Sequence, residues 1–282
     1  MSSPPPSPAR RRPPVPPEGL DVRTLALLAA MYALLLGNFA LYWTAPLPLL
    51  VHMAVSVAAI HLAFTIWHEA VHENVSSSRR VNAAVGVLGM FPYMTPYFMQ
   101  RWIHLRHHTR MNERDDPNFI YTDGPFATIL LRYPRALGYA KEVLESDPRS
   151  PGERRSDLAS VAVVAGIFVV GAVFGVALDL VLLWAIPVGV AKLIMDWYIN
   201  FLPHAGLPAE RHAGTRILDI GWLTPLVLQH NYHAIHHLWP GLPWHRYRAV
   251  FADRRDELAA DGVPIENRLL GPFRDPRHAD AG

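Results

Sequence analysis

No Asp, Glu, Lys or Arg occurs from Thr24 to His68. In helical geometry that uncharged run is long enough for about two bilayer crossings. It predicts one helix over about 24–44 and a second over about 48–69, with Pro46 and Pro48 in the turn between them. A second apolar pair extends from Leu158 to Leu202, interrupted by Asp179, and predicts helices over about 158–178 and 180–202. Residues Val81 to Met99 are also apolar, but Pro92 and Pro96 fall close together there. Two prolines so near one another fit a re-entrant or interface-lying segment better than a fifth crossing. The rival reading, a large soluble protein with helices buried on all sides, does not explain two matched pairs of long apolar runs.

The flanks differ in character. Residues 1–20 are rich in Pro, Ser and Arg with almost nothing to bury, which predicts a disordered tail. Arg10, Arg11 and Arg12 resemble the start of a signal peptide. The apolar run that follows is too long for one, lacks a small-residue cleavage site and continues into another run, so it reads as an anchor. A flexible C-terminal tail is expected over 273–282, leaving one all-α integral membrane domain over 21–272. The arginine-rich tail favours a cytoplasmic N-terminus. Two hairpins then return the chain to that side, so 70–157 and 203–282 share the cytoplasmic face.

Composition sharpens this picture. Only 18% of the chain is Asp, Glu, Lys or Arg and 51% is hydrophobic, whereas a soluble domain is about 25% charged. The 26 basic residues nearly balance the 24 acidic ones, and no long basic stripe appears, which argues against nucleic acid as a partner. With no cysteine, disulfides, cysteine nucleophiles, zinc-thiolate sites, iron-sulfur clusters and thiolate haem are excluded. A metal here would be held by nitrogen and oxygen.

Histidine is the anomaly, with 15 in the chain, about twice ordinary usage. Nine fall in four tight groups: His68 and His72 in HEAVH; His104, His107 and His108 in HLRHH; His204 in NFLPH; and His233, His236 and His237 in HAIHH. Every group sits at the cytoplasmic end of a predicted membrane element. Residues four apart share a helical face, while neighbours such as His107 and His108 differ by about 100° and can reach ions on either side of a helix. His52, His61, His212, His245 and His278 read as structural or solvated singletons, and His230 as a residue that supports the ligands at most.

With imidazoles as nearly all the ligands, the candidate metals are iron, zinc, copper and nickel. Nine imidazoles exceed the needs of one ion; two ions with four or five nitrogens each use them completely. A carboxylate-bridged ferritin-like site needs two Glu-x-x-His motifs, and only Glu69 with His72 has that spacing. HEAVH also matches the H-E-x-x-H of zinc proteases, with Glu69 as general base, but that reading leaves seven clustered histidines idle. A metal transporter would favour ionisable groups at mid-membrane depth.

Together with two membrane hairpins, HEAVH, HLRHH and HAIHH resemble the membrane-bound fatty acid desaturase and hydroxylase superfamily, over roughly residues 24–250. The resemblance implies a four-helix membrane anchor with a cytoplasmic helical cap holding a histidine-rich di-iron centre that activates O2. It implies one iron on His68, His104, His108 and His236, with Asn200 near it through water. The other iron would take His72, His107, His204, His233 and His237. The stretches HLRHHTRMNERDDPNF, DWYINFLPH and QHNYHAIHHLWPGLPWHRY are most similar to the bacterial beta-carotene hydroxylases, and the third box is also similar to acyl desaturases. The first box departs from the HD form common in both groups by having Glu69. The implied reaction is O2-dependent 3-hydroxylation of a carotenoid beta-ionone ring, with fatty acyl lipid desaturation and then carotenoid ketolation as alternatives.

Asn200, Asp196 and Asp116 are the catalytic candidates beside the metal ligands. Asp196, Asn200 and His204 form an i, i+4, i+8 stripe, and Asp116, Asp196 and Glu69 are acceptors for imidazole nitrogens facing away from metal. A simple pair of Asp196 with Lys192 is the structural alternative. Without a G-x-G-x-x-G motif, cysteines or a fused haem motif, electrons must come from a separate donor such as a ferredoxin. Arg101, Arg106, Arg110, Arg114, Arg132, Arg135, Arg154 and Arg155 are candidate contacts for it. The expected setting is a bacterial cytoplasmic membrane, multi-pass, with both termini cytoplasmic and a carotenoid or acyl lipid as substrate.

Overall fold

The structure is a computed structural model that describes residues 19–145 and 148–268. Most of the tail expected over 1–20, and all of that expected over 273–282, lie outside the described residues. The first hairpin is α1 (Val22–Thr44) and α2 (Leu49–Val71), joined through Pro46 and Pro48. Next come α3 (Arg79–Met90) and α4 (Tyr97–Arg110), separated by a single 3-10 turn at Phe91–Tyr93. The prolines of the segment expected to be re-entrant therefore divide it between two helices. α3 lies against α2 so closely that a Cβ on Gly89 would stand 2.8 Å from Ile66 Cγ2, and on its other side Gly86 leaves room for the Tyr97 ring of α4.

A short α5 (Phe119–Thr122) and an amphipathic α6 (Ile129–Glu145) lead to the second hairpin, α7 (Pro151–Val173) and α8 (Ala177–Phe201). α7 begins seven residues before the apolar run does, because Ser150 caps it: its Oγ accepts from Glu153 N, and Glu153 Oε2 accepts from Ser150 N. Asp157 then ties this charged first stretch to α4, accepting from the backbone N–H of Phe98 and Met99 at 3.0 and 2.9 Å. The chain reverses at Gly175, whose φ of +75° suits glycine. α8 contains two π-helical turns, Val181–Ala185 and Asp196–Phe201. α9 (His233–Leu238) and α10 (Tyr247–Ala260) complete the helices, and β1 (Ile217–Leu218) pairs in parallel with β2 (Ile265–Glu266).

Among the described residues, α1, α2, α7 and α8 are the four helices long and apolar enough to cross a membrane. The fold is thus largely α-helical and multi-pass. α2 is the innermost, packed by α1, α3 and α8, and its last two turns are buried throughout. α7 by contrast exposes Val161, Val163, Val169, Val170 and Val173, as a lipid-facing helix does. The cap beyond α8 closes back on the beginning of the chain. Trp244 Nε1 donates to Thr24 Oγ1 at 3.1 Å, its backbone N–H donates to Glu69 Oε2 at 3.2 Å, and His245 Nε2 lies 3.3 Å from Asp21.

Candidate metal centre

Four elements deliver the clustered histidines: α2, α4, the turn after α8, and α9. His68 in the last turn of α2 and His72 just past its end lie four residues apart with ring centroids 5.0 Å apart. On α4, His104 and His108 make a like pair, and their Nε2 atoms are 3.1 Å apart. On α9, His233 and His237 do the same at 3.1 Å. His107 and His236 are each offset from such a pair and face the opposite group.

Three overlapping groups of ligand atoms result among the described residues: His68, His72, His104 and His236; His107, His204, His233 and His237; and His108, His236 and His237. Within each group all the ligand atoms lie within 4.8 Å of one another. Nε2 separations of 2.8 Å for His72 and His104 and 3.1 Å for His68 and His236 lie within the first group, and the 2.9 Å between His108 and His236 links it to the third. His204 completes the second, with ring centroids 4.9 Å from His107 and 5.0 Å from His233.

The partition differs from the implied one. The resemblance implies the ion of His107 and His204 for His72; its ligand atoms group with those of His68, His104 and His236, in keeping with a four-residue step that holds it on the His68 face. His108 lies between the groups, its ring stacked on His237 at 4.3 Å.

The donor chemistry fits a pair of iron ions. Burial, reinforced by the Arg101 charge, takes His72 down to about 3. Burial and neighbouring imidazoles hold His104, His108, His204, His233, His236 and His237 well below the ordinary histidine range. Neutral rings have a free lone pair, as metal ligation requires. His204 has both ring nitrogens buried without a hydrogen-bond partner among the described residues, which such a site normally avoids and a metal would satisfy. The clusters are therefore capable of coordinating a di-iron centre.

Outward-facing nitrogens have partners of unequal quality. Asp116 accepts from His107 Nδ1 at 3.0 Å through both oxygens, and is itself held by the backbone N–H of Asn112 and Asn118, each at 2.8 Å. Glu69 Oε1 stands 3.6 Å from His68 Nδ1. Tyr247, which its position in the sequence did not single out as a ligand partner, places its hydroxyl 3.2 Å from His236 Nδ1. His230 stays outside the three groups: its Nε2 is 2.9 Å from Thr65 Oγ1, and its ring packs edge-on against His68. His52 pairs with Asn38 Oδ1 at 2.8 Å, a structural contact.

Asp196 and Asn200 bond to one another at 2.9 Å, but the stripe they begin does not reach His204. The π-helical turn at Asp196–Phe201 resets the register, and His204 lies in the turn beyond the helix. Asp196 contacts no clustered imidazole; it accepts from Lys192, Tyr133 and Asn200. Asn200 Oδ1 accepts from Asn118 Nδ2 at 3.1 Å.

A cleft of about 250 Å³ reaches the metal centre at His104, His107 and His233. Its walls are mainly apolar, with Phe64, Trp67, Tyr93, Ile103, Met195 and Ile199 among them. Arg132, a candidate contact for an electron donor, is instead buried, donating to the carbonyls of Ile120, Tyr121, Asp123 and Pro125. Arg101, Arg106, Arg110 and Arg135 each face an acidic side chain, Glu73, Asp115, Glu113 and Asp123 respectively.

The chain is similar to a beta-carotene ketolase of Paracoccus sp. (strain N81106 / MBIC 01143), 29% identical over 190 residues, which are 65% of this chain and 71% of the ketolase. It is also similar to a chloroplastic omega-3 fatty acid desaturase of Glycine max, 26% identical over 255 residues. That match takes in 74% of this chain but 56% of the plant protein, so the chain spans little more than half of it. The family model for fatty acid desaturases matches residues 42–268. Because that match runs from the first membrane hairpin through the last described helix and takes in every clustered histidine, this chain belongs to the fatty acid desaturase family of membrane di-iron enzymes.

Proposed function

We propose that this protein is an O2-dependent acyl-lipid desaturase. The observation that carries the reading is the convergence of an apolar cleft on buried, neutral imidazoles. Two bound irons would supply the oxidising power to remove hydrogen from unactivated methylenes. Two hydrogens leave adjacent carbons and a double bond forms; O2, taking these with two electrons and two protons, ends as two waters. The side chains lining the cleft hold the chain in place and keep bulk water away. Asp116 fixes the His107 ring, and Asn200 and Asp196 add polar groups to the cleft wall. Electrons come from a separate donor such as a ferredoxin, docking on the cap, which we place on the cytoplasmic side of a bacterial inner membrane with both termini.

Oxidation of a carotenoid ring is the second reading, favoured by the likeness to the ketolase. Its two forms are ketolation and the 3-hydroxylation that the third box implies. Expression in a host that accumulates beta-carotene, with pigments and fatty acids analysed together, separates them. New unsaturated acyl chains with unchanged pigment support desaturation. A red-shifted ketone or a hydroxylated pigment, with acyl chains unchanged, overturns it. One zinc per purified chain in place of about two irons would overturn both.

A further inference from the structure

One ion pair lies on the cleft wall away from the histidines. Lys192 Nζ is 2.7 Å from Asp196 Oδ2 and 3.1 Å from the Tyr121 hydroxyl, and it sits 5.2 Å from the centre of the Tyr133 ring. The Tyr133 hydroxyl donates to Asp196 at 2.6 Å. Asp196 is only 2% exposed, whereas Lys192 is 42% exposed, and both line the cleft. A charged pair within a membrane-crossing helix is costly, and it persists where it serves a ligand.

The valences define that ligand. Among the described residues, Asp196 accepts from Lys192, Tyr133 and Asn200, with the Tyr121 hydroxyl also in reach. An ammonium has three protons; among the described residues Asp196 and Tyr121 take two, so the open valence is a donor. Because Asp196 cancels the charge, the site favours a neutral acceptor oxygen over an anion. Lys192 Nζ and the Asn200 amide donate to opposite oxygens of Asp196, so the anchor is tied through that carboxylate to the part of the cleft wall that Asn200 forms. On α6, close in sequence to Tyr133, Leu130 and Leu131 are exposed, so the helix that carries Tyr133 also presents apolar side chains at its surface.

We propose that Lys192, Asp196, Tyr121 and Tyr133 form a substrate anchor that takes the carbonyl oxygen of an acyl ester, selecting esterified chains over an all-hydrocarbon polyene. The anchor rests on the desaturase reading and names its substrate class. Loss of one charge-assisted hydrogen bond in a desolvated site corresponds to roughly tenfold or more in affinity.

The test offers purified full-length protein an equimolar mixture of ester-linked and ether-linked phosphatidylcholines with identical saturated chains, and measures the retained lipid by mass spectrometry. The ether lacks only the carbonyl. The wild type is expected to retain the ester by roughly tenfold over the ether, and Lys192→Met to lose that preference while Lys192→Arg keeps part of it. Equal retention by the wild type overturns the anchor, as does beta-carotene displacing the ester lipid when present at the same concentration. Should Lys192→Met fail to fold because Asp196 is left unpaired, the wild-type comparison alone decides. Turnover is read separately. Ester preference without desaturation sustains the anchor and refutes the desaturase reading; equal desaturation of both linkages does the reverse.

Discussion

Replacing Asp116 with asparagine isolates the link between the cap and the metal centre. In the native site the carboxylate receives His107 Nδ1–H at 3.0 Å, so Nε2 is left with its lone pair facing His204 and His237. Each carboxylate oxygen also holds one backbone N–H, from Asn118 and from Asn112. Asparagine has one oxygen and one NH2 group, so one of those N–H groups must face a donor and the imidazole loses its ionic partner. Substituting such an outer partner of a metal ligand costs about 10–100-fold in metal affinity, or about 1.4–2.8 kcal/mol. The assay is a chelator titration of iron-loaded protein, with circular dichroism melting as the folding control. A midpoint shifted to lower chelator by about one to two decades is expected. Folded Asp116→Asn protein that holds iron as tightly as the wild type would refute the role given to this carboxylate.

His236 belongs to two of the three ligand groups, so His236→Ala should lose more than half of the bound iron and all turnover. Full iron occupancy by metal analysis would show that the groups are drawn wrongly. Metal-free protein should lose stability in acid. His72 and His230 are both driven to about 3 in the folded state by burial, while the unfolded chain titrates near 6.5. Below that value the unfolded state binds more protons, so the stability present above about 6.5 declines as pH falls towards about 3; a flat melting temperature over this range contradicts it. Gly86→Ala would push a methyl group to 2.2 Å from the buried Tyr97 ring. A loss of about 1–3 kcal/mol is expected for such overpacking, read as a lower melting temperature in detergent, and an unchanged melt would show that α3 does not sit so close. Tyr247→Phe removes the acceptor for His236 Nδ1, so a smaller loss of iron retention than in Asp116→Asn is expected by the same chelator titration.

The membrane helices were legible because lipid exposure demands long uncharged runs, and the histidines were legible because their spacing on helices is regular. The start of α7 was not, since Glu153, Arg154, Arg155 and Asp157 hide a capped helix behind charges. Which histidines share an ion depends on how α2, α4 and α9 are rotated against one another, and the sequence carries that only through the i, i+4 rule that places His72 with His68. The stripe from Asp196 to His204 failed because a π-helical turn shifts the register without any mark in composition. Tyr121, Tyr133 and Tyr247 had no spacing pattern, as each acts from a different element. Arg132 looked like a surface charge, but its environment is a ring of backbone carbonyls that only the folded loop supplies.

The contacts between Trp244, Thr24 and Glu69 join α1 and the end of α2 to a segment made far later along the chain. His68 likewise waits for His236, 168 residues later. None of the three ligand groups is complete before His236 has been made, and two of them also wait for His237, so a nascent chain can place both hairpins in the membrane while every group still lacks a ligand. Metal loading then reports that the third histidine box has been made, and a product truncated before it would lack a ligand from every group.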